Sequence, residues 1–276
     1  MTDLVLLPAR PVSPFLAQLL ERQRTLGLYG LALLALAVLA LLFEAIDTRT
    51  LASGVGVWVK PAKFLASVGI LALTLAWFFG YVRPDRRRAW LPRATVALVL
   101  IAGTFELAWI GWQGANGLES HFNFDTLFYQ RMFNLMGVFA LLLVGAGLPL
   151  AWEIARRPVS GVAGDFVTAV ALGLVLAFLL GAGFGGAIAA NGGHAVGPEA
   201  GGWPPFGWNR AGGDLRIAHF VGIHAMQAIP LLAAAAAAAG LPARLRWPAL
   251  LVGTALWTAL AFALYFQAAA GRPLWP

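Results

Sequence analysis

Seven stretches of this chain are apolar over lengths that match a bilayer, at 26–46, 60–82, 93–113, 132–153, 164–189, 216–239 and 247–269. At 1.5 Å per residue, ~20 helical residues cover the ~30 Å of a membrane's hydrocarbon. The runs are continuously apolar and do not alternate, which excludes a barrel and predicts an all-α integral membrane protein, a seven-transmembrane-helix bundle. Composition agrees, with 60% apolar and 11% charged residues. The expected division is a cytoplasmic N-terminal segment over 1–25, a seven-helix membrane domain over 26–270, and a periplasmic lid-like loop over 190–215. Within the first segment, "PFLAQLLERQR" puts Phe15, Leu16, Leu19 and Leu20 on one face and suits a helix lying on the membrane surface.

The charges set an orientation. Of the 19 Lys and Arg residues, 12 fall in the N-terminus, the loop "RPDRRRAWLPR", Arg156 with Arg157, and Arg244 with Arg246, all on one side. The remaining seven fall on the other side, so the positive-inside rule predicts a multi-pass protein of a bacterial inner membrane, N-terminus cytoplasmic and C-terminus periplasmic. Because the arginines sit in short loops beside apolar runs, the net charge of +7 implies no nucleic-acid partner. The lack of cysteine excludes disulfides, thiolate metal sites and Cys nucleophiles.

An internal echo bears on architecture. "KPAKF" and "RIAHF" each open a span from the outer side, and "FELAWIGWQ" ends in Gln113 as "LAFALYFQ" ends in Gln267. Three spans, a linker span and three more in parallel orientation would give this 3+1+3 pseudo-repeat, and chance likeness between Ala- and Leu-rich helices is the competing reading.

On the predicted outer half, polar residues fall on helix faces and not at random. At ~100° per residue, Lys60, Lys63 and Ser67 share a sector of about 60°, and Glu106 and Gln113 lie about 20° apart. On span six, Arg216, His219, His224 and Gln227 span a sector of about 140°, which should turn inward, away from lipid. Pro230 is expected to kink that span just below Gln227. Glu106, His219 and His224 are the candidate catalytic groups. Lys60, Lys63, Asn134, Arg216 and Gln227 are the candidate binding groups, and at least one of these cations is expected to pair with a carboxylate from another span. His121, His194, His219 and His224 are candidate ligands for a divalent transition metal, since neutral imidazole is the commonest metal-binding side chain. For each residue the plainer reading is a snorkelling cation or a satisfied interhelical hydrogen bond.

The motifs "WVKPAKF" (58–64), "SHFN" (120–123) and "GGDLRIAHFVGIHAMQAIPL" (212–231) resemble a family of uncharacterised bacterial seven-span membrane proteins. The resemblance runs from span one to span six and implies no activity. In that family the outer loop reads Gly-Pro-Gly-Leu-Pro before its Trp, whereas here it is "GGWPPFGW". Membrane hydrolases of the ceramidase and adiponectin-receptor type carry H-x-x-x-H, and His219 and His224 are spaced one residue wider. Microbial rhodopsins need a Lys in the last span, which has none.

Three functions follow as expectations. The first is an enzyme with an outward-facing, His-containing polar cavity that acts on a lipid-like or amphiphilic anionic substrate, with the bilayer as its standing partner. The second is a transporter or receptor that uses the same cavity without chemistry. The third is a haem or accessory subunit, which the loop positions of His121 and His194 disfavour. Sidedness has a direct test: reporters fused after residues 88 and 157 should read cytoplasm, and those after 120 and 200 periplasm. A periplasmic reading at the five-arginine loop would reverse every assignment of sides.

Overall fold

The computed structural model describes residues 15–203 and 206–275. The first fourteen residues of the N-terminal segment and the two prolines of "GGWPPFGW" lie outside that set. Among the described residues the chain is mostly helical: α1 (Phe15–Arg22), α2 (Arg24–Ile46), α3 (Val59–Phe78), α4 (Trp90–Ala115), α5 (Leu127–Gly145), α6 (Leu148–Arg156), α7 (Gly164–Ala190), α8 (Arg216–Ile223), α9 (Ala225–Ala238) and α10 (Ala243–Ala269). Four two-residue strands, β1 (Ala195–Val196), β2 (Gly202–Trp203), β3 (Trp208–Asn209) and β4 (Gly213–Asp214), lie in the connection between α7 and α8.

Among the described residues, six helical segments are long and apolar enough to cross a membrane, with α5 and α6 forming one of them and α8 with α9 making up to seven as a bent pair. Where the predicted runs were unbroken, two are interrupted. The run at 132–153 divides after Gly145, four residues before Pro149, whose ring collides with that carbonyl and supplies no N–H to it. The run at 216–239 bends by 51° at His224. The bend therefore sits six residues upstream of Pro230 rather than below Gln227 as expected, and Pro230 is accommodated inside α9.

The interior depends on close backbone approach. α2 crosses α3 where Gly30 meets Gly69, and a Cβ on Gly30 would stand 2.9 Å from the Gly69 carbonyl oxygen. Gly173 of α7 receives the bend, since a Cβ there would lie 2.8 Å from the Ala225 oxygen and 3.2 Å from Pro230 Cδ. Such small-residue contacts bring helices together where lipid supplies no hydrophobic drive. Leu26, Leu75, Leu150, Ile154, Leu174 and Ile229 fill the centre. Outward-facing Leu251, Leu256 and Phe266 are exposed, as suits helices with hydrocarbon for solvent.

The end of the bundle that carries the loops between α3 and α4 and between α6 and α7 is held by charge. Glu153, 1% exposed, accepts from Arg86 at 2.8 Å across elements and lies 3.5 Å from Arg157 one turn on. α1 folds back on this end: Phe15 stacks on Trp77, and the Arg22 guanidinium sits 3.7 Å over the Trp77 ring while donating to the Trp77 carbonyl. Glu153→Ala should cost roughly 2 kcal/mol, between the value of an exposed pair and that of a fully buried one, because it strands Arg86. Arg157→Ala should cost less than about 1 kcal/mol, since that guanidinium is half exposed. Thermal unfolding in detergent compares the two, and equal losses would refute the assignment.

Candidate functional site

The opposite end, where the loops 47–58, 116–126 and 191–215 meet, holds the polar residues singled out above. Its geometry starts from the first turn of α3. The helix begins with Lys60 and Lys63, two cations at the positive end of a helix dipole, an arrangement that needs compensation. Trp58 makes no capping bond with its own side chain. Instead Glu44, at the end of α2, accepts the Trp58 backbone N–H at 3.0 Å, and its carboxylate fills the space a side chain on Gly56 would take. The Trp58 indole donates to Asp47, which is also paired with Arg49 at 2.7 Å. Arg49 in turn donates to the Ala115 carbonyl, tying the loop to the end of α4.

The loop 191–215, the expected lid, is built on Asn209 and Asp214, both buried. β1 pairs with β4 and β2 with β3, each antiparallel. The Asn209 amide oxygen accepts from Ala200 and Ala211, its amide nitrogen donates to Pro198, and its backbone N–H donates to Asp214 at 2.9 Å. Asp214 accepts from the Arg216 backbone and, through both oxygens, from its guanidinium at 2.6–3.2 Å. Burial alone would raise the Asp214 carboxyl, but the hydrogen bonds and charge of Arg216 overcome it and hold the group below the usual carboxylate range. Arg216 also donates to the Gly207 carbonyl. Lys63 donates to the Phe206 carbonyl at 2.8 Å, latching the lid to α3. Beneath the latch, Phe206 stacks on Trp208, both meet Phe220, and Phe220 meets His224 at 4.3 Å between ring centres.

The four histidines have four different partners. His219 Nδ1 lies 3.0 Å from the Gly181 carbonyl, an acceptor, so that nitrogen carries the hydrogen. His224 Nδ1 meets the Gln227 oxygen at 3.2 Å, and Gln227 donates to Thr74 of α3 at 3.0 Å, so a polar chain runs from the lid's aromatic stack into the bundle. His194 faces Glu199 at 3.4 Å, and burial is the main cause holding its imidazole below the ordinary value. His121 bonds to Ser120, and burial, helped by the nearby Lys60 charge, pushes it down to about 3. Among the described residues no three His, Asp or Glu side chains group as a metal shell requires.

Among the described residues, the expected pairing of Lys60, Lys63 or Arg216 with a carboxylate from another span is not made. Arg216 takes a carboxylate two residues away, and Lys63 takes a carbonyl. Lys60, half-buried, has no hydrogen-bond partner among the described residues, and it lies within electrostatic reach of Glu119 and Glu106. Glu106 of α4 is 2% exposed, and its Oε1 is sealed from solvent without a partner. One turn pair along the same face, Gln113 is buried and donates to the Glu119 carbonyl. Asn134 is exposed on α5. An apolar recess of about 210 Å³ lies between α7 and α10, bounded by Leu180, Gly183, Phe184, Phe262 and Tyr265. A shallower one of about 760 Å³ lies beside Gln267 and Arg272. Neither is lined by Lys60, Glu106 or a histidine, so neither is the cavity expected from the sequence.

Sequence reasoning missed Asn209 and Thr74 as structural partners. Asn209 follows a Pro- and Gly-rich loop in which a lone amide is the natural organiser, and Thr74 is a lone polar residue in the apolar stretch of α3. Fold and site together define a membrane-embedded helical bundle with a latched polar end. Compared with protein-family models, curated proteins and solved structures, the chain matches none of them.

The depressed imidazole of His121 has a consequence for acid stability. Its unfolded value is ~6.5, so the native loop is at full strength above that pH and loses stability as the pH falls towards about 3. His121→Asn should flatten the decline of Tm between about pH 6.5 and pH 4.5 by on the order of 3 °C. An unchanged slope would show the imidazole to be solvated.

Proposed function

We propose that this is a multi-pass protein of a bacterial inner membrane, with seven spans, that receives the anionic head group of a lipid-like molecule at an outward-facing site. Lys60 is the anion anchor and Glu106 the group that donates or accepts a proton. The N-terminus is cytoplasmic and the C-terminus periplasmic in this reading, with α8 and α9 counted as one broken span. The 3+1+3 pseudo-repeat goes with it: α2 packs on α3 in the first half, as α7 packs on α8 and α9 in the second.

The observation that carries the reading is Glu106, a carboxyl sealed inside the bundle whose Oε1 has no partner among the described residues, with Lys60, which has no bonded acceptor among them, as its charged neighbour. Ionisable groups left unsatisfied at membrane depth are costly and mark pathways and sites. The positive end of α3 adds to the attraction for an anion. Turnover of the bound molecule is the first form of this function, with Glu106 as its acid/base group. Carriage without chemistry is the second, favoured by the broken span at His224 and the polar chain through Gln227 to Thr74.

Native mass spectrometry of the purified protein with anionic and zwitterionic phospholipids of equal chain length tests the anchor. Lys60→Gln should weaken retention of the anionic lipid by at least about tenfold, the loss of one charge-assisted contact, and leave the zwitterionic lipid unchanged. Lys63→Gln should weaken it less, because that ammonium is already committed to the lid. Equal retention by wild type and Lys60→Gln would end the proposal.

A further inference from the structure

We propose that the end of the bundle opposite the loop 191–215 is a docking surface for the anionic phospholipids of the leaflet it meets, with Arg88, Arg156 and Arg157 as the residues that take their phosphates.

The first observation is where the charge lies. Among the described residues, the half of the bundle with the loops between α3 and α4 and between α6 and α7 holds eleven arginines against four carboxylates, Glu21, Asp85, Glu153 and Asp165. The half with the loop 191–215 holds seven cations and seven carboxylates. The excess of positive charge therefore belongs to one face.

The second is how the arginine-bearing loops are joined. Val82 forms an antiparallel bridge with Pro158, and the Val159 N–H donates to the Tyr81 carbonyl at 3.2 Å, so the two loops run side by side. Arg86 and Arg157 converge on the same oxygen of Glu153, at 2.8 and 3.5 Å. One carboxylate cannot neutralise two guanidinium groups, and Arg86 has the better geometry, with contacts to both oxygens. Arg157 is half exposed and makes no side-chain hydrogen bond among the described residues. Its planar fork of N–H donors is open to solvent and matches the oxygens of a phosphate. Arg88 is exposed without a bonded acceptor among the described residues, and so is Arg156, which lies 5.0 Å over the Trp152 ring. Other arginines of this face are committed: Arg83 to Asp85, Arg87 to the Val82 carbonyl and Arg22 to Trp77.

The third is what surrounds these cations. Trp90, Trp152 and Trp247 stand 73%, 58% and 46% exposed at this end. Phe15 and Leu16 are exposed on α1, while Leu19 anchors that helix in the bundle. Indole rings settle at the level of lipid head groups, and an amphipathic helix with apolar residues turned outward settles beside them. A soluble anion would use the guanidinium groups alone. A phospholipid uses both features, its phosphate on the cations and its chains against the rings, and the one-sided charge selects the anionic kind. Lipid held in this way exchanges with the bilayer, so the surface stands apart from any molecule retained at the other end.

Fluorescence anisotropy of tail-labelled phosphatidylglycerol and phosphatidylcholine of equal chain length, titrated with the full chain in a neutral detergent, tests this. All variants are made on Lys60→Gln, so that anionic lipid at the opposite end does not enter the reading. Phosphatidylglycerol should bind the Lys60→Gln chain more tightly than phosphatidylcholine. That preference should shrink between about 0.01 M and about 1 M salt, where the screening length falls from ~30 Å to ~3 Å. Arg88→Gln, Arg156→Gln and Arg157→Gln combined should weaken phosphatidylglycerol by about fivefold for each arginine removed, the ~1 kcal/mol that a cation contributes at an anionic surface, and leave phosphatidylcholine unchanged. Arg131→Gln, Arg210→Gln and Arg272→Gln combined remove the same charge from the opposite end and should alter phosphatidylglycerol by less than about twofold at ~0.1 M salt. Excess glycerophosphoglycerol, the head group without its chains, should not displace the lipid. Equal affinity for the two lipids, a preference indifferent to salt, wild-type binding in the first triple variant, or an equal loss in the second would overturn the proposal. So would a parallel loss of phosphatidylcholine, or displacement by the free head group, which would make the partner a soluble phosphate ester. Should the first triple variant fail to fold, Arg157→Gln alone and the salt dependence decide.

Discussion

Hydrocarbon cannot hydrogen-bond, and that constraint governs almost every polar contact in this bundle. Within the spans, Tyr29 bonds to Thr104, Gln227 to Thr74, His219 to the Gly181 carbonyl and Trp257 to the Val221 carbonyl. Each joins two helices, so the same bonds that satisfy the groups also fix the packing. Against that background the Glu106 Oε1, unpartnered among the described residues like the hydroxyls of Thr95 and Thr254, is an exception with a cost, and the largest one because the group is ionisable.

The lid obeys different rules because it meets water. It has two minimal hairpins and little apolar core of its own, so buried Asn209 and Asp214 hold it by hydrogen bonds to backbone. Asp214 does double service. It organises the loop, and it removes Arg216 from the set of free cations. A reader counting basic residues would assign three cations to the outer end of spans two and six. The structure leaves Lys60 as the one without an acceptor among the described residues.

The long spans were legible in the sequence because hydropathy over some twenty residues is a sum, and a sum tolerates local error. Breaks inside spans were not. Pro149 lies in an apolar run whose average hides it, yet the helix ends at Gly145, where the ring and the carbonyl conflict. In span six the bend lies at His224 and not at Pro230, and the close approach it needs is made against Gly173 of α7, a packing contact that composition does not show. Helical-wheel angles for His219 and His224 assumed one straight helix, and the bend at His224 voids that assumption. Glu106 and Gln113 lie buried on one face of α4, as their ~20° separation requires, because α4 is unbroken there. Asn134 was drawn into the site by its depth in sequence, but depth does not say which way a helix faces, and α5 turns it outward.

The echo between "WVKPAKF" and "GDLRIAHF" gains a physical content from the caps. Both spans open with cations at the positive end of a helix, and each is made tolerable by a buried or half-buried carboxylate placed just before it. The two solutions differ in what they leave over. Glu44 reaches α3 from α2 and bonds to backbone, so the lysine charges remain. Asp214 comes from the same chain segment as Arg216 and binds both the backbone and the guanidinium, so the cation is consumed. The difference follows from sequence distance: a carboxylate two residues before its helix is forced to meet the first side chain, whereas one on a neighbouring helix can stop at the backbone. That asymmetry leaves uncompensated ammonium charge at the start of α3 and makes the start of α8 the fixed post to which the loop is tied.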